Sequence, residues 1–222
     1  MKFFNVNITS REFKMNRVVK FFILSDYIFW SGWGIVSPVF AVFILQKIGE
    51  ANVFTVGAAA AIYYLSKALS EVPISIYLDK HDGEKDDFYA LVLGLLIGGC
   101  VSLAFLAVRS ITGLFLVMVV QGIAFALYSS SWPTMFSRHL DKDHYALEWT
   151  LDHFGIDVLS AVAAFLGGGI TLIFGFNFVF IVAAILAFIA AAVLFFVPDL
   201  ILPKDTLRQP ILKDHTGPII GR

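Results

Sequence analysis

Residues 53–78 read VFTVGAAAAIYYLSKALSEVPISIYL, an apolar run that carries Lys67 and Glu71 one helical turn apart. About 20 apolar residues cross the hydrocarbon core of a bilayer as a helix. An ionisable side chain at the centre of such a helix costs roughly 2.5–3.5 kcal/mol on insertion scales, so it turns toward a protein interior or a water-filled path. The stretch reads as a transmembrane helix, and it marks one turn where charge is kept at membrane depth.

The composition agrees. The chain has 222 residues, of which 59% are hydrophobic and 15% charged, with a mean hydropathy of +0.82. Soluble domains carry about 25% charged residues. Backbone groups in lipid must be satisfied internally, which long apolar runs achieve as helices. The alternating strands of a membrane barrel, about ten residues each, are not seen. A net charge of −1 gives no basis for a nucleic-acid partner. Cys100 is the single cysteine, so no intrachain disulfide forms. The basic segment before Arg17 leads into a long apolar run with more to follow, which is not the pattern of a cleaved signal peptide.

Six spans are expected at 18–46, 53–78, 88–108, 111–137, 145–174 and 177–197, forming one transmembrane domain over 18–198. Residues 1–17 and 199–222 are the polar ends. Basic residues orient the chain. Lys2, Arg11, Lys14, Arg17, Lys20, Lys80, Lys85, Arg138, Lys142, Lys204, Arg208, Lys213 and Arg222 share one side, against Lys47 and Arg109 on the other. Both termini are therefore expected in the cytoplasm, in a multi-pass protein of the cell (inner) membrane. The sequon Asn7-Ile8-Thr9 falls on that side and reads as a chance match.

Polarity is unevenly placed. Spans 3 and 6 have no charge in their cores and read as lipid-facing, whereas Asp26, Lys67, Glu71, Asp152, His153 and Asp157 lie in spans 1, 2 and 5. Span 4 adds Gln121, Tyr128, three serines and Trp132. At a rise of 1.5 Å per residue, Asp26 and Glu71 reach similar depth, roughly 12 Å from the cytoplasmic side, with Lys67 and Asp157 deeper. Asp26, Trp30, Trp33 and Ser37 share one face of span 1. Trp can stack on a ligand or cation there, or it can simply anchor and pack. Lys67–Glu71 reads either as a structural ion pair or as a titratable pair, because burial and pairing pull its proton affinities in opposite directions. Glu148 and Asp152 sit nearer the cytoplasm, where solvated and gating roles are equally open.

The junction between spans 2 and 3 reads Ser75-Ile-Tyr-Leu-Asp79-Lys80-His81-Asp82-Gly83-Glu84-Lys85. It resembles the cytoplasmic loop signature of the major facilitator superfamily at Asp79, Lys80, Gly83 and Lys85, with Ser75 at the leading glycine. Val119-Val120-Gln121-Gly122 is similar to the family's Arg-x-x-Gln-Gly, with Met118 in the arginine position. Leu166-Gly167-Gly168-Gly169 resembles the antiporter motif without its Gly-Pro. The resemblance implies an all-α fold of two three-helix repeats, with spans 1, 2, 4 and 5 lining a cavity. It implies a cytoplasmic gate in which Asp79 with Lys80 or Lys85 meets Arg138 and Glu148.

Full members have twelve spans in two halves related by an axis along the membrane normal. Six spans correspond to one half, and a parallel homodimer rebuilds the whole. The expected function is a secondary transporter of a small organic solute, proton-coupled and working by alternating access. Its expected site residues are Asp26, Trp30, Trp33, Lys67, Glu71, Gln121, Tyr128, Trp132 and Asp157. The expected partners are the solute, a second copy and the bilayer, with no metal or cofactor. The alternative is a membrane subunit of a hetero-oligomeric transporter or permease complex. An intramembrane enzyme is disfavoured, since neither Gly-x-Ser-x-Gly nor His-Glu-x-x-His occurs.

Overall fold

The computed structural model describes residues 15–80, 84–140 and 144–196. Five helices follow in order: α1 (Arg17–Lys47), α2 (Val53–Lys80), α3 (Lys85–Ala104), α4 (Ile111–His139) and α5 (Tyr145–Phe195). Each is long and apolar enough to cross a membrane. Local chemistry starts several of them. The Asn16 side chain accepts from the Val18 amide at 3.1 Å, and Ser110 accepts from Gly113 at 3.1 Å. Asn52 and Thr55 cap α2 reciprocally, each side chain accepting the other's backbone N–H, the logic of a capping box. Pro38, Pro73 and Pro133 lie within helices, which membrane bundles tolerate.

α5 contains 51 residues, about 76 Å if straight. It is not straight. Gly175 takes φ 78° and ψ 173°, a left-handed φ open to glycine, and two helical arms meet there. Both arms lie along α1. Tyr27 donates to the Leu151 carbonyl at 2.6 Å and Ser25 to the Ala190 carbonyl at 3.0 Å. Farther along, Gly34 lies against Ser160 and Ala163, and Gly32 against Ala183. As α1 advances, its neighbours climb along the first arm and descend along the second, so the chain doubles back at Gly175. Helix α3 begins and ends earlier than expected, at 85 and 104 rather than 88 and 108. Asp86 and Asp87 occupy its first turn, where acidic residues suit the positive end of a helix dipole.

α1 packs mainly along α5 and α2 mainly along α4, while α3 contacts both α4 and α5. Two clusters of buried apolar side chains form the core. One, around Phe22, Phe29, Trp132 and Phe136, lies at the end bearing Arg17 and His139, here the proximal end. The other, around Phe43, Phe105 and Phe180, lies at the opposite, distal end. Apolar character and coverage do not run together. Only 11% of the apolar segment of α2 is buried, against 56% of α3. α3, uncharged beyond its first turn and expected to face lipid, is instead covered by two neighbours, whereas α2, which carries Lys67 and Glu71, leans on α4 and leaves its other faces open.

Where helices cross closely, glycine permits it. A methyl group on Gly122 would stand 2.7 Å from the Tyr63 carbonyl oxygen and 2.8 Å from the Lys67 nitrogen. In the run Gly167-Gly168-Gly169, a methyl on Gly167 would collide with the Ile35 carbonyl of α1, whereas methyls on Gly168 and Gly169 would meet nothing within 4 Å. Gly167→Ala should therefore destabilise the protein by about 1–3 kcal/mol, the range for overpacking. Gly168→Ala and Gly169→Ala should leave stability unchanged or slightly raised. Thermal unfolding of the three variants in detergent checks this, and equal effects at all three positions would contradict the α1–α5 contact.

Candidate functional site

A cavity of about 500 Å³ opens between α1, α2, α4 and the first arm of α5. Trp30 and Trp33 of α1, Tyr63 and Tyr64 of α2, and Gln121 and Phe125 of α4 are among its walls. Three of the four residues read as one face of α1, namely Trp30, Trp33 and Ser37, line it together. Phe125 is the centre of its ring system. Trp30, Trp33 and Tyr63 stand nearly perpendicular to it, at 76°, 74° and 83°, with centroids 6.2, 5.3 and 5.7 Å away. Such edge-to-face packing holds aromatic rings at defined angles. Gln121 is only 4% exposed, and its Oε1 has no hydrogen-bond partner.

A layer of ionisable groups lies just proximal to this cavity, one to two helical turns along the same helices. On one side of α4, Trp30 Nε1 donates to Tyr128 Oη at 3.1 Å, and Tyr128 donates to Asp26 Oδ1. Asp26 is 2% exposed. Asp152, 1% exposed, is within electrostatic reach of Asp26, and its Oδ1 has no hydrogen-bond partner. On the other side, Lys67 Nζ lies 3.7 Å from Glu71 Oε1, with both side chains about a third exposed. Ser129 Oγ is 2.7 Å from both Glu71 Oε1 and the Phe125 carbonyl, so its one proton can go to either. Ser75 and Ser130 continue this α2–α4 seam at 3.0 Å. Asp26 and Glu71 thus lie level, as depth arithmetic placed them, but they engage adjacent residues of α4 and do not touch.

At the proximal end, Arg138 Nη1 lies 2.6 Å from Asp87 Oδ2 and 3.8 Å from Glu84 Oε1. His139 Nδ1 meets the Met135 carbonyl at 2.9 Å, and its Nε2 faces Glu84 at 3.8 Å. Glu84 and Asp87 are buried. A buried carboxylate needs such a partner, since removing one member strands the other in a low dielectric.

The model of the Major Facilitator Superfamily matches residues 24–215. The chain belongs to the major facilitator superfamily. Among solved structures, an auto inhibited POT family peptide transporter superposes with a TM-score of 0.61 at 15% sequence identity. That match covers 81% of this chain and 37% of the peptide transporter. No curated protein matches by sequence.

Within this superfamily fold, the remaining residues expected at the site fall in different places. Trp132 is buried against Phe136, with ring centroids 4.6 Å apart, and does not line the cavity. Asp157 is exposed on α5, in a shallow groove with Trp149, Thr150, His153 and Phe154. Of the expected gate residues, Asp79, Lys80 and Lys85 are exposed, and Gly83 lies outside the described residues. The pairing of Arg138 with Asp79 is corrected. Arg138 instead meets Asp87 and Glu84, because α3 packs directly on α4 and α2 reaches α4 mainly through the seam. Glu148 and Asp152 are buried rather than solvated.

Glu84 and Asp87 were not singled out from sequence. The signal was present, since an even number of spans puts the start of span 3 and the end of span 4 at the same membrane face.

Tyr128→Phe removes the hydroxyl between Trp30 and Asp26 and should destabilise the fold by about 1–3 kcal/mol, the cost of an unsatisfied buried polar group. Adding Asp26→Leu should recover most of the loss, because both partners are then apolar. Chemical unfolding in detergent measures both, and a double variant no more stable than Tyr128→Phe would exclude the contact as the cause.

Proposed function

We propose that this chain is the transport unit of a secondary transporter that moves a small organic solute by alternating access, driven by a proton gradient. The observation that carries this reading is the vertical order of the site in a superfamily fold. An aromatic cavity large enough for a small organic molecule lies one turn from a layer containing Asp26, Lys67 and Glu71. Pockets of about 300–1,000 Å³ accommodate such ligands. Carboxylates at membrane depth are the usual carriers of a coupled proton.

The reading takes the two arms of α5 as two spans, giving six with both termini on one side, and the basic residues put that side in the cytoplasm. Two identical copies in parallel would face each other across the cavity. The open faces of α2 and of the first arm of α5 support this. Leu65, Leu69 and Val72 on α2 are exposed, as are Phe154, Phe165 and Leu166 on α5. Contiguous apolar exposure of this kind marks an interaction surface or a lipid face. Closed two-fold dimers are the commonest assembly.

Purified protein in proteoliposomes should accumulate its solute only when a pH gradient is imposed. Glu71→Gln or Asp26→Asn should abolish gradient-driven accumulation while the protein elutes unchanged from size exclusion. Normal accumulation by both variants would refute proton coupling at these sites.

Cysteines placed at Leu69 or Phe165 should crosslink two copies in native membranes. Crosslinking of those positions only to a different protein would replace the homodimer with a hetero-oligomeric complex.

A further inference from the structure

The cavity has a chemical bias of its own. Among the described residues, no ionised side chain lines it. Val36, Phe40, Val56, Ala60, Met118 and Phe125 form much of its wall, which requires a largely apolar ligand body. Gln121 belongs to this wall, is 96% covered, and its Oε1 is unpartnered and itself covered, so a ligand reaches it by rotating the amide. A buried acceptor left unsatisfied costs about 1–3 kcal/mol, so such an atom calls for a donor from the ligand. The indole N–H of Trp30, another polar group of the wall, is already committed to Tyr128.

Charge gives the sign of that donor. The acids of the adjoining layer, Asp26, Glu71 and Asp152, outnumber Lys67. Glu71 is also within electrostatic reach of Tyr63, a wall residue. A cleft with low-dielectric walls and a surplus of one sign focuses its field on the opposite charge. The rings add to this. Trp30, Trp33 and Tyr63 each stand nearly perpendicular to Phe125, and all four rings line the space. A cation within about 6 Å of a ring centroid gains roughly 0.5–2 kcal/mol.

We propose that this cavity takes an organic ammonium, a protonated amine on an apolar body, with the aromatic rings around the cation and Gln121 Oε1 accepting its N–H. The proposal rests on the reading of the cavity as the solute site and names the class of that solute. Trp33 and Gln121 divide the work. The ring senses charge, and the amide senses the N–H.

Equilibrium binding to the full chain in nanodiscs tests this with four probes: N,N-dimethylphenethylamine, its quaternary N-methyl derivative, the neutral phenethyl dimethyl carbinol, and maltose. The amine should bind at least about tenfold more tightly than the carbinol. Gln121→Leu should weaken the amine by about tenfold or more, and leave the quaternary ion within about twofold because it has no N–H to donate. Trp33→Leu should weaken both cations by about threefold or more. Gln121→Glu, which keeps the side-chain length, should tighten both cations.

The proposal is overturned if the carbinol or maltose binds as tightly as the amine, or if no probe binds. It is also overturned if Gln121→Leu weakens all probes alike, or if Gln121→Glu weakens the amine. Uptake into proteoliposomes separates this inference from the transport reading. An amine that binds with the stated pattern but is never accumulated supports the cavity assignment and removes the transport reading. Accumulation of a neutral solute with no amine binding does the reverse.

Discussion

Helices in a bilayer gain little by hiding apolar surface from one another, because lipid is as apolar as leucine, so close backbone approach at small residues must hold them together. This bundle depends on that constraint. Gly34 and Gly167 let α1 settle against the first arm of α5, Gly32 lets it settle against the second, and Gly122 lets α2 lie on α4. These contacts define tight pairings of α1 with α5 and of α2 with α4, and Gly94 brings α3 equally close to the α4 backbone while α3 also touches α5. Every other feature of the site is positioned by them. Gly122 sets Tyr63 and Lys67 at fixed height beside α4, and Tyr27, near Gly155, anchors α1 to the start of α5.

α4 is the divider of the site. Adjacent residues on it serve opposite neighbours, Tyr128 reaching α1 through Asp26 and Trp30, and Ser129 reaching α2 through Glu71. One turn distally, Phe125 collects the rings of both sides into one wall. The carboxylates of α1 and α2 therefore share a level without sharing a contact, and the aromatic cavity lies above both.

Much of this was legible in sequence because depth follows from counting. The apolar runs, the level of Asp26 with Glu71, the break near Gly175 and the grouping of Trp30, Trp33 and Ser37 all rest on a rise of 1.5 Å and a period of 3.6 residues. What counting does not supply is the rotation of each helix about its own axis. When every face of a helix is apolar, nothing in hydropathy says which face meets which neighbour. Hydropathy therefore groups Trp132 with the site although it stacks on Phe136 in the core, and leaves Asp152 between solvated and gating roles although it is buried beside Asp26. The partner of Arg138 was missed for a related reason. A match to the family's loop signature draws the eye to Asp79, whereas the pairing is set by α3 lying directly on α4.

The contrast between the two kinds of joint has a mechanical meaning. Within a pairing, backbones touch, and any sliding must push a carbonyl through a neighbouring chain. Between α1 and α4 the backbones are held apart by a row of rings, from Phe22 against Trp132 to Trp33 against Phe125. Across that line, displacement meets side chains rather than backbone, and the cavity lies on it. A change in the cavity's width would fall on the rings and on the Trp30–Tyr128–Asp26 bridge, and would leave the glycine contacts in place.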